Sequence, residues 1–84
     1  NVESSEVFRQ LFDFTRMEAN IAAQLANGLE LDEIQEHFGI KTTTLRTHIQ
    51  SMFLKTGVRR QPDLIRVLLT AGAPLGTPLT ATTG

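Results

Sequence analysis

Apolar residues recur along most of this chain at three- and four-residue intervals, the spacing of one helix face, with no strand-like alternation of useful length. Val7, Phe8, Leu11 and Phe12 form the first group, and Ser4 or Ser5 is placed to cap a short helix that carries it. Met17, Ile21, Ala22 and Leu25 form the second. Thr15-Arg16-Met17-Glu18 before it has the form of a capping box, Phe14 is placed to staple onto Ala19, and Asn27-Gly28 supplies the stop. Leu31, Ile34 and Phe38 predict a helix over 31–38, with Glu30 as cap, Asp32 and Glu33 near its positive end, and Gly39 as its break. Over 42–55, Leu45, Ile49, Met52 and Phe53 make a buried stripe, while Thr43, Arg46, Thr47 and Gln50 share the opposite side. Thr56-Gly57 ends that helix.

The last helix starts near Pro62, where a missing N–H costs nothing. Its apolar residues, Leu64, Ile65, Val67, Leu68, Leu69 and Ala71, cover an arc of roughly 200°, about twice what one face against a small core needs. The surplus calls for a second covering surface. A partner subunit, with Ile65, Leu68 and Leu69 as the dimer candidates, is one; the lead-in helix and a missing domain are the others. Gly72 and Pro74 end the helix, and residues 73–84, uncharged and rich in Thr, Pro, Gly and Ala, read as a flexible tail. The expected layout is a lead-in helix or linker over 1–13, one all-α domain of four helices over 14–72, and the tail. The lead-in reads either as a helix packed on the domain or as the end of a coupling helix. The opening Asn1-Val2, without Met, reads as an excised fragment.

Composition narrows the chemistry. A chain of 84 residues holds one small domain. Cysteine is absent, so there is neither a disulfide framework nor a thiolate metal site. His37 and His48, without a ligand-spaced carboxylate, do not make a metal site. No nucleophile–base pattern or glycine-rich phosphate loop is present, so neither catalytic residues nor a cofactor are expected. No apolar run approaches the ~18 residues of a membrane span, and there is no signal-peptide pattern, so the reading is cytoplasmic.

Net charge is −1, which taken alone argues against nucleic acid. The distribution reverses that inference. Residues 1–40 carry Arg9 and Arg16 against eight carboxylates, whereas residues 41–84 carry Lys41, Arg46, Lys55, Arg59, Arg60 and Arg66 against Asp63 alone. The positive half contains the helix with the polar outer face.

Two short helices joined by Gly39-Ile40-Lys41, the second with a polar outward side, form a helix-turn-helix. Phe14-Thr15-Arg-Met-Glu18, Ala26-Asn-Gly28-Leu29, Glu33-Ile34, Phe38-Gly39-Ile40, Thr44-Leu45-Arg46-Thr47-His48, Lys55-Thr-Gly57-Val58 and Asp63-Leu64-Ile65-Arg66 follow in order. Over about residues 12–72, without a gap, this series resembles the LuxR-type (GerE-type) DNA-binding domain of bacterial transcription regulators. The resemblance implies a C-terminal effector domain whose 42–55 helix enters the DNA major groove and whose last helix mediates homodimerisation. It also implies an upstream sensory domain, with RNA polymerase as a further candidate partner and the bacterial nucleoid as the place of action. Arg46, Thr47 and Gln50 are then the candidates for base contacts, and Thr44, His48 and Lys55 for the phosphate backbone.

The residues themselves support parts of that set. Arg46 has the bidentate fork that reads guanine, Gln50 one turn on can read adenine, and Thr47 can meet a thymine methyl. The hydroxyls of Thr42, Thr43 and Thr44, with the free N–H groups of a helix start, suit phosphate, and Arg59 and Arg60 follow the helix closely enough to reach it. Several positions depart from the family pattern. Lys41 stands in place of a small polar cap, so that Thr42 becomes the expected cap. Glu30 replaces a Ser or Thr cap, Leu54 stands where a basic residue is common, and Thr56 where an apolar one is. Two rival readings are a sigma-factor-like promoter-recognition domain and a helix-turn-helix used only for protein contact.

Overall fold

Five helices follow one another among the described residues: α1 (Val2–Phe12), α2 (Arg16–Ala26), α3 (Leu31–Phe38), α4 (Thr42–Thr56) and α5 (Gln61–Gly72). The structure, a computed structural model, describes residues 2–72, and the side chains of residues 5–71. The expected tail lies outside the described residues. No described helix is long and apolar enough to cross a membrane.

The stops fall where the sequence places them, because each uses a local backbone solution. At the end of α2, Gly28 takes φ +94°, its N–H donates to Leu25 O and the Leu29 N–H donates to Gln24 O. Gly39 repeats the arrangement after α3 at φ +66°, with Gly39 N–H to Glu36 O and Ile40 N–H to Gln35 O. This pair of bonds is a Schellman motif, which satisfies carbonyls that the helix end would otherwise orphan. The end of α1 was not marked in the sequence. There the left-handed residue is Asp13, at φ 59°, with Phe14 N–H donating to Arg9 O. A short polar side chain tolerates this conformation better than a branched or bulky one does.

Two expected helix starts are corrected. Ser4 and Ser5 lie inside α1 rather than at its cap. At α4 the cap position is Lys41, which makes no capping bond, and Thr42 is already helical. The Thr42 hydroxyl instead donates to Gln35 Oε1 at 3.1 Å, across the turn to α3. The start of α5 lies one residue before Pro62, with Leu64 N–H bonded to Arg60 O.

The core is built from one stripe of each helix. Phe8, Phe14, Ala19, Ile21, Ala22, Leu25, Ile34, Leu45, Ile49, Met52, Leu64 and Leu68 are buried together. Helix α2 lies at the centre of the packing, against α1, α3, α4 and α5, and α1 also packs on α5. Phe8 is 2% exposed, so α1 belongs to the same core as the helices that follow it. Phe12 bridges α1 to the next turn, its ring 5.2 Å from Phe14 and 6.5 Å from Phe8.

This packing divides the broad apolar arc of α5. Leu64 and Leu68 are fully buried within the chain, Ile65 is half-buried, and Leu69 is 53% exposed. Leu68 is therefore a core residue rather than a surface available to a partner, in a helix that packs on α2, α1 and α4. The two leucines give a direct check. Leu64→Ala should destabilise the domain by roughly 2–5 kcal/mol, while Leu69→Ala should stay within about 0.5 kcal/mol. Circular dichroism melts at low protein concentration would read the difference, and equal losses would contradict this division of the helix.

Candidate nucleic-acid interface

The helix-turn-helix is α3, the Gly39 turn and α4. Helix α4 is anchored by Leu45, Ile49 and Met52, all buried, at positions i, i+4 and i+7. The spacing fixes one side of the helix inward, so Thr43, Arg46, Thr47 and Gln50 emerge together on the exposed side. Thr44 and Arg59 are exposed as well, and His48 is half-buried at the edge of the stripe. The structure thus brings Thr43, Arg46, Thr47 and Gln50 onto one face. Ile65 and Leu69 lie apart from that group, on α5.

The electrostatics of this face are simple. Arg46 makes no ion pair among the described residues. The Thr47 hydroxyl donates to Thr43 O at 2.9 Å, which occupies its polar hydrogen within the helix. No acidic residue stands in the first turn of α4, and no side chain caps it. Acidic residues stand instead on α3, where Glu33 Oε1 accepts the Glu30 N–H at 2.8 Å. Among the described residues no cluster of three His, Asp or Glu side chains is placed to hold a metal ion.

The orientation of α4 is set from its far end. Glu18 is 3% exposed, and its Oε1 accepts the Thr15 N–H at 2.9 Å and the Lys55 ammonium at 2.7 Å. The Thr15 hydroxyl accepts the Glu18 N–H at 3.1 Å, completing the capping box. Burial works against the Glu18 charge. Hydrogen bonds from Lys55, Ser51 and the Thr15 N–H, together with the Lys55 charge, outweigh it and hold the carboxyl below its ordinary value. Lys55, expected at the phosphate backbone, donates here to an intramolecular partner while its side chain stays 29% exposed. The capping box was legible as a local motif, but a partner 37 residues away leaves no periodic signal.

Residues 13–68 match the family described as bacterial regulatory proteins, luxR family (GerE). The match covers about two thirds of the chain, and the chain belongs to that family. Neither curated proteins nor solved structures gave a match. Family membership makes this a regulatory helix-turn-helix domain of bacterial transcription rather than a catalytic one.

The Glu18–Lys55 pair carries a pH signature. Because the folded carboxyl is held below its ordinary value, its stabilisation is complete above the ordinary glutamate range and disappears as pH falls through the depressed value. Lys55→Met should cost roughly 1–3 kcal/mol at pH 7, since it leaves a buried carboxylate short of its strongest donor. The gap between variant and wild type should close toward pH 3. Urea unfolding followed by circular dichroism at both pH values tests this; a gap independent of pH would show that Glu18 ionisation is not involved.

Proposed function

We propose that this LuxR-family domain binds double-stranded DNA sequence-specifically, with α4 in the major groove. The observation that carries the reading is the exposed face of α4, where Arg46, Thr47 and Gln50 stand together on a helix anchored from behind by Leu45, Ile49 and Met52. Arg46 is the principal reader, because an unpaired guanidinium fork matches the O6 and N7 edge of guanine. Gln50, one turn along, suits adenine. With its hydroxyl bonded to Thr43 O, Thr47 offers a methyl group to a thymine methyl.

Thr43, Thr44, His48 and Arg59 are the proposed backbone contacts. The uncapped first turn of α4 supports this, since its N–H groups and the positive helix end favour a phosphate oxygen. One domain with so few cations binds weakly. Two copies double the contacts and fit half-sites about one helical turn apart. Leu69, exposed, and Ile65, half-buried, are the proposed homodimer contacts on α5. In the full regulator, control by an upstream sensory domain and contact with RNA polymerase, in the bacterial cytoplasm, complete the proposal.

Fluorescence anisotropy of a labelled random-duplex pool, with recovery of the bound fraction, tests the reading. Wild type should bind at low salt, weaken as salt rises, and enrich a defined sequence. Arg46→Ala should lose about 1–3 kcal/mol on that sequence and fail to select it. The same enrichment by both proteins would remove Arg46 from the reading role, and salt-insensitive binding would contradict contact with the DNA backbone.

A further inference from the structure

The junction between α4 and α5 gathers three arginines about one shallow groove. Arg59, Arg60 and Arg66 line it, over Val58 and Val67, with Asp63 as its carboxylate. Asp63 Oδ2 lies 3.7 Å from Arg60 Nε, and Oδ1 lies 3.5 Å from Arg66 Nη1. One carboxylate between two guanidiniums leaves the cluster positive, and Arg59 adds to it. The Arg60 and Arg66 side chains are 81% and 76% exposed, so most of their N–H donors face water. Ion pairs this exposed are weak, and each guanidinium can take up an incoming oxyanion without a large loss.

The place of the groove matters as much as its charge. Gly57, Val58 and Arg59 also line a neighbouring groove with Gln50 and Leu54. The two grooves share that junction, so one continuous surface runs from the exposed face of α4 to the first turns of α5. Leu54, 85% exposed, brings no charge to this end of α4. The positive charge beside it comes from the α4–α5 junction and α5.

We propose that Arg60 and Arg66, bridged by Asp63 in the free domain, clamp phosphodiester oxygens of the DNA strand alongside the groove that α4 enters. The inference rests on the DNA-binding reading above and extends its footprint onto α5. A guanidinium fork suits this ligand because it pairs with two phosphate oxygens at once. The clamp carries no sequence information; it fixes register and adds affinity.

The test compares wild type, Arg60→Gln/Arg66→Gln and Arg46→Ala by anisotropy on the labelled duplex pool between 50 and 200 mM salt, with circular dichroism melts confirming that each variant is folded. The double variant should enrich the same sequence as wild type but bind more weakly, with a shallower salt dependence. Losing one or two phosphate contacts makes the wild-type loss over that range larger than the variant's by roughly 3- to 12-fold. Arg46→Ala should show the converse, a similar salt slope and lost selection. If the double variant keeps wild-type affinity and slope while Arg46→Ala loses selection, the clamp is wrong and the DNA reading stands. If wild type does not bind even at low salt, both fall.

Discussion

One buried carboxylate oxygen holds the helix-turn-helix in register. Glu18 Oε1 accepts from the Thr15 N–H at the start of α2 and from Lys55 in the last full turn of α4. The first bond closes a helix end. The second fixes where the C-terminal end of α4 sits against α2, the helix at the centre of the core. A buried charge of this kind is costly unless every partner is in place, so the arrangement is close to all-or-none. The outward angle of Arg46 and Gln50 follows from the inward side chains Leu45, Ile49 and Met52, and Lys55 tethers the end of the same helix.

The chain was legible where the signal is local. The Thr15–Glu18 capping box, the glycine stops and the i, i+4, i+7 stripe of α4 are decided by residues a few positions apart, and the structure places α2 to α5 within a residue or two of expectation. What escaped the sequence depends on distant parts of the chain. Lys55 carries the same charge whether it meets phosphate or Glu18, and its position on α4 does not say which. Leu68 belongs to an arc too wide for one surface, and only the packing of α1 and α2 against α5 decides that it is core. Asp13 gives no glycine signal, so the break after α1 had no mark. The candidate base-reading face was legible because the exposed side of α4 is the complement of its buried stripe.

Charge and fold divide the domain in the same way. The carboxylates of α3 stand beside a helix with no acidic residue, and basic residues gather on α4, at the α4–α5 junction and on α5. Helix α2 separates these roles from stability, since its buried residues supply much of the core while its one buried charge serves α4. On the proposed reading, sequence preference resides in a few side chains of α4, and substitutions there leave the packing untouched.

Helix α1 rests on both α2 and α5, so the first and last described helices touch. The family motif spans residues 13–68, yet Phe8 is sealed in the same core as Leu64 and Leu68. The inherited unit is thus smaller than the unit that opens and closes as one. Ends of a domain ordinarily fray first, at little free-energy cost. Here fraying of α1 uncovers α5, and loosening of α5 uncovers α1. Backbone amides in the two should exchange with solvent as a single cooperative group, although residues 13–60 lie between them.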